Sequence, residues 1–167
     1  MVDEDLRRLI ADMVTTMRRA HGVGLAAVQV GVPLRVLIAD PGTGPVVLVN
    51  PLLRRRWGSQ IGPEGCLSIP GTIGSVRRAL GVEVEARNAR GQPVAVRGTG
   101  HLARIIQHEI DHLNGVLFID RVVVRRTPRR AASGRSRAAR RQPPQRTRAA
   151  RVRRARRTGR DDSLLQD

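Results

Sequence analysis

At 167 residues the chain has room for one ordinary domain and a tail. Its acidic start, "MVDEDLRR", is not a signal peptide, and no uncharged apolar run reaches the length of a membrane span, so a soluble, cytosolic protein is expected. One cysteine, Cys66, excludes an internal disulfide, and the net charge of +17 is uneven: residues 1–124 carry 15 arginines against 11 acidic residues, residues 125–167 carry 16 against 3.

Leu6, Leu9, Ile10, Met13, Val14 and Met17 fall at helical spacing, which predicts an amphipathic helix over Asp3–Ala20. Its acidic start and its Arg18–Arg19 end suit the helix dipole. The glycine-punctuated "GVGLAAVQVGVP" reads as a loop leading into a short extended piece. Strands are expected at 34–40 and 45–51, and a hairpin at 81–88 and 94–98. A second helix runs from about Gly100 to Leu113, ended by "NG", and "VLFIDRVVV" (116–124) returns to strand character. The set describes an α+β domain: short antiparallel strands around a central helix, with an N-terminal helix before them.

After Val124 the sequence has almost no large apolar residues and cannot offset the cost of ordering. The expected division is therefore a folded domain, 1–124, and a disordered arginine-rich tail, 125–167. The tail's plain reading is a solvated polycation. Its functional reading is a salt-dependent, sequence-independent contact with RNA, without aromatics to stack bases.

The chemistry centres on "QHEIDH" (107–112). His108 and His112 are four residues apart, so a helix projects both imidazoles from one face, with Glu109 beside them. This is the H-E-x-x-H arrangement of two metal ligands and a proton-moving carboxylate. The plainer alternative is a pair of histidines on a solvated face, against which Ile105 and Ile106 argue by burying part of that helix. A catalytic site of this kind wants a third protein ligand and one open position. His21 and His101 look like surface residues. Cys66, in "PEGCLSIP", is the better candidate, although a lone cysteine also reads as a small buried hydrophobe.

Three segments together resemble the peptide deformylase family: "GVGLAAVQ" (22–29), "EGCLS" (64–68) and "QHEIDH" (107–112), in that order, with the likeness running through "HLNGVLFIDR". The resemblance implies Cys66, His108 and His112 as metal ligands and Glu109 as the catalytic acid and base. It implies Gln29 and the Leu67 amide as donors to the formyl oxygen. The implied reaction is hydrolysis of the N-formyl group from the initiator methionine of new polypeptides, releasing formate. Gly22 and Gly24 would let the substrate lie close, with Val23 and Ile105 lining an apolar pocket for the methionine. Cysteine and two histidines suit zinc on ligand preference. The resemblance implies ferrous iron instead, with zinc, nickel or cobalt able to replace it. The expected partners are N-formylmethionyl nascent peptides met by a monomer, with no membrane. Val28 stands where many family members have proline. The family also carries a segment before the first helix, so the domain is expected to be N-terminally short.

Overall fold

The computed structural model describes residues 3–123. The expected tail, 125–167, lies outside them. Asp3 caps the first helix, accepting the Leu6 amide at 2.9 Å, and α1 then spans Glu4–Arg19. Its apolar stripe buries Ile10, Met13 and Met17.

The chain continues through β1 (Gly24–Ala26), a 3-10 turn (Ala27–Val30), β2 (Val36–Ala39), β3 (Val46–Trp57), β4 (Gln60–Cys66), β5 (Ile69–Arg78), β6 (Gly81–Arg87), β7 (Pro93–Thr99) and α2 (Gly100–Leu113). A 3-10 turn, Phe118–Arg121, follows α2. Five strands form an antiparallel sheet in the order β1-β2-β3-β6-β7, and β4 pairs only with β5.

The uniformly apolar "VLIA" of β2 follows from burial on both sides. Val36 and Ile38 face α1, with Leu25, Ala27 and Val49. Leu37 and Ala39 face the other way and join Leu48, Val82 and Val84 against Ala103, Ile105, Ile106 and Ile110 of α2. Helix α2 is thus held between the large sheet and the β4–β5 hairpin, and the α+β architecture is the expected one.

Two expectations need correction. In the expected strand 116–124, the described residues, 116–123, do not form one. Gly115 turns the chain at positive φ, and Asp120 accepts the Leu117 amide at 3.0 Å, which favours a 3-10 turn. Among the described residues of this segment, Val122 and Val123 alone join a sheet by backbone pairing, through a bridge to Val76 and a 2.8 Å bond from the Val123 amide to the Ser75 carbonyl. Segment 22–33 holds its extended piece, β1, before its turn rather than after it.

Phe118, the only phenylalanine, is fully buried and its ring lies 6.2 Å from that of His108. Phe118→Ala should cost about 3–5 kcal/mol. Urea unfolding of the variant against the parent chain checks this.

Candidate metal centre

Cys66 ends β4, at a register shift between Gly65 and Cys66 that breaks the hairpin ladder. His108 and His112 stand one turn apart on α2, with ring centroids 4.9 Å apart. The hairpin and the helix bring their donors together. Cys66 Sγ is 3.1 Å from His112 Nε2, and His112 Nε2 is 3.2 Å from His108 Nε2. The three ligand atoms all lie within 4.8 Å of one another.

The protonation of the cluster follows from Glu64, which the sequence reading passed over. Its Oε2 is 3.0 Å from His108 Nδ1. Burial would raise the Glu64 pKa, but the Arg78 and His108 hydrogen bonds overcome this and hold it at about 2. Glu64 is therefore an acceptor only, so His108 Nδ1–H donates to it, and in the neutral ring that a metal ligand requires Nε2 is the nitrogen with the lone pair. That lone pair faces the His112 nitrogen, which also faces the thiol. One proton can satisfy one of these two contacts, whereas one cation can take all three donor atoms.

The donor set fits a metal. Nitrogens about 2.0–2.1 Å from a tetrahedral ion lie about 3.3 Å apart, close to the 3.2 Å found. The Ser68 amide and Gln29 Nε2 both donate to Cys66 Sγ, at 3.4 and 3.7 Å, which fixes the direction of the sulfur.

Behind the ligands runs a buried ionic chain. Arg104 meets Glu64 at 2.7 Å, Arg78 forks onto Glu64 at 2.8 and 2.9 Å, and Arg78 and Arg121 both reach Asp111. A detectable signal for Glu64 was present: it is two residues before Cys66, so strand alternation puts both on one face. Arg78 and Asp111 carried no comparable pattern, being separated by 33 residues.

The remaining expected residues lie around a cavity of about 490 Å³. Gln29 accepts the Ala26 amide at 2.8 Å and donates to Ser68 Oγ at 3.0 Å, which aims its amide group at the sulfur. Gly22 sits under Leu67, whose Cδ1 would be 2.9 Å from an added Cβ. Gly24 is tighter: a Cβ there would overlap the Glu109 carboxylate. Val23 is 46% exposed at the mouth, while Ile105 is buried in the wall. His21 and His101 are exposed, as expected, yet both also border the cavity.

Glu109 is buried, and its Oε2 has no hydrogen-bond partner. Burial, then the nearby charge of Glu64, push its pKa well above the usual carboxylate range, against a smaller opposing pull from Arg78. His112 moves the other way: burial, then the neighbouring His108, lower it from 6.5 to about 4. These shifts set the pH dependence of the metal-free protein. Glu109 binds its proton more tightly when folded, so its contribution is present at low pH and lost as pH rises through its folded pKa. His112 and Glu64 bind theirs more weakly when folded, so acidification destabilises, from about pH 6.5 to 4 for His112 and from 4.5 to 2 for Glu64. Glu109→Gln should therefore stabilise the metal-free chain at pH 8, with the gain shrinking towards pH 5. Urea unfolding across that range measures it.

Comparison with known proteins agrees with this geometry. Residues 1–127 match the family model described as polypeptide deformylase. A peptide deformylase of Thermomicrobium roseum is 47% identical over 139 residues, covering 77% of this chain and 78% of that protein. Peptide deformylase 1 of Bacillus anthracis is 52% identical over 122 residues, covering 72% and 78%. Among solved structures, the Thermotoga maritima peptide deformylase superposes with a TM-score of 0.73 at 42% identity, covering 74% of this chain and 85% of that one. One from Synechococcus elongatus, in complex with actinonin, gives 0.72 at 47% identity, covering 75% and 69%. With the family model matched over most of its length, the chain belongs to the polypeptide deformylase family.

Proposed function

We propose that Cys66, His108 and His112 hold one divalent ion, and that Glu109 moves the protons of formyl hydrolysis beside it. As a family member the chain is a hydrolase that removes the N-formyl group from nascent peptides. The observation that carries the residue assignment is the convergence of one sulfur and two Nε2 atoms, with Glu64 engaging the far nitrogen of His108. When bound, such an ion supplies Lewis acidity and brings the pKa of water from about 15.7 towards about 7.

The chain's own groups supply the rest. Gln29 Nε2 and the Leu67 amide are the donors for charge that develops on the formyl oxygen. Gln29 is already oriented by the Ala26 amide, so little is spent on aligning it. Glu109 takes the proton of the attacking water and passes it to the departing amine as the carbon–nitrogen bond breaks. Formate and a free amino terminus result. A buried carboxyl that holds a proton tightly suits this double use. Gly22 and Gly24 keep the floor of the cavity open to a formyl group. Val23 at the mouth and Ile105 in the wall receive the methionine side chain.

Ferrous iron is the proposed ion, with zinc, nickel or cobalt as substitutes. The substrates are N-formylmethionyl peptides in the cytoplasm, met by a monomer. No described helix is long and apolar enough to cross a membrane. The arginine-rich segment 125–167 is proposed to contact ribosomal RNA.

Iron-loaded protein should release formate from a formyl-methionyl tripeptide, and Glu109→Ala and Cys66→Ala should abolish this. Gln29→Ala should lower kcat by about 10²–10³. A chain that keeps its metal yet releases no formate would overturn the assignment. Gly24→Ala should stop turnover while leaving bound metal intact, because its methyl displaces Glu109 and not a ligand. Glu64→Gln should weaken metal binding by about 10–100-fold, read by competition with a chelator.

A further inference from the structure

The cavity beside the metal ligands runs along one face of α2. His101, Arg104, Ile105 and His108 border it, at the spacing that puts side chains on one side of a helix. Leu67 and Ile69 add apolar wall. Among the described residues, Arg104 is the only arginine that borders this cavity.

One guanidinium nitrogen of Arg104 makes all of its hydrogen bonds. Nη1 donates to Glu64 Oε1 at 2.7 Å, to the Val76 carbonyl at 3.1 Å and to the Gly62 carbonyl at 3.4 Å. Nε and Nη2 meet no acceptor among the described residues. Neither is sealed off. Arg104 is 8% exposed, and among the described residues the only fully enclosed side-chain polar atom without a partner is Glu109 Oε2. The open space that Arg104 borders is the cavity, so its Nε–Nη2 edge looks into it. Gly62 keeps the approach clear, since a Cβ there would stand 3.2 Å from Nη2.

We propose that this edge lets the site deformylate oxidised substrates, peptides that begin with N-formylmethionine sulfoxide. The inference rests on the placement of the methionine side chain proposed above. Arg104 stands one turn before His108, about 6 Å along the helix axis. The sulfur of a formylmethionine lies at a comparable reach from its formyl carbon. A thioether is a weak acceptor, so a methionine that displaces water from the cavity leaves two N–H groups unmatched. Oxidation puts a strongly polar oxygen on that same sulfur without lengthening the side chain. The Nε–Nη2 edge of a guanidinium can take such an oxygen with two donors. An apolar pocket would refuse it, because the oxygen would be buried without a partner. The hydrolysis is unchanged: water adds, the carbon–nitrogen bond breaks, formate leaves and the sulfoxide stays intact.

The test uses the full metal-loaded chain and formyl tripeptides that differ only in their first residue: methionine, norleucine and each sulfur epimer of methionine sulfoxide. Norleucine has the same length and no acceptor. At least one epimer should be cleaved with a kcat/KM within about tenfold of the norleucine peptide, where an unpartnered oxygen would cost more. Arg104→Lys keeps a cation for Glu64 and removes the second donor. It should lower the sulfoxide-to-norleucine ratio by about 10–100-fold, the worth of a hydrogen bond to a charged donor. General loosening of the site would slow both peptides alike and leave the ratio unmoved. A deficit beyond tenfold for both epimers in the parent chain overturns the inference, whether or not the variant folds. So does a ratio that Arg104→Lys leaves unchanged. If the methionine peptide is not cleaved either, the site assignment falls and takes the inference with it. If that peptide is cleaved and both sulfoxides are refused, the inference falls alone.

Discussion

The Glu64 carboxylate is the joint on which the site depends. The hairpin that carries the thiol and the helix that carries both imidazoles share no strand ladder. Glu64 crosses between them, accepting from His108 and Arg104 on α2 and from Arg78 on the hairpin's second strand. One side chain thus sets the distance between hairpin and helix and the tautomer of a ligand. Desolvating a carboxylate costs several kcal/mol, and here three cationic or N–H donors offset it. A partial version of the network would be worse than none, because each member left alone would be a buried, unpaired charge.

Glu109 has the opposite design, five residues of sequence from Arg104 on the same helix. It is as buried as Glu64 but lacks a partner at Oε2, and it holds its proton where Glu64 gives its proton up. Two carboxyl groups in one small volume are therefore driven apart in acidity by their neighbours alone. Arg78 forks onto Glu64 by two hydrogen bonds and reaches Glu109 only as a weaker pull through space. The unpartnered Oε2 of Glu109 is a stability cost kept at the position proposed to move protons.

The sequence made the local features readable and left the long-range ones hidden. Helix α1 announced itself through its apolar spacing and its acidic start, and the β6–β7 hairpin through alternation around a turn. The candidate ligands were legible because a helix converts an interval of four into proximity, and because the family resemblance singled out Cys66 over His21 and His101 for the third position. The β4–β5 hairpin went unread: Gly62, Pro63, Gly65, Pro70, Gly71 and Gly74 suppress every strand propensity in it. Those residues serve tertiary needs. A Cβ at Gly62 would press on the Arg104 guanidinium, and one at Gly74 would overlap Val122. The Arg78–Asp111 pair was invisible for a related reason, since nothing local marks a contact across 33 residues.

Arginine has two roles in this fold, separated by burial. Arg78 and Arg104 are enclosed, and each is matched to carboxylates or carbonyls, as a buried cation must be. Arg56 and Arg77 stand in the open without a carboxylate, where an unmatched charge costs little because water solvates it. The same residue type therefore fastens the metal centre from within and leaves a positive rim outside. Arg77 and Arg78 are adjacent on β5, so strand alternation sends one guanidinium to each task. The hairpin that aims the thiol at the helix thereby also shapes the outer face of the molecule, and its register ties the two together.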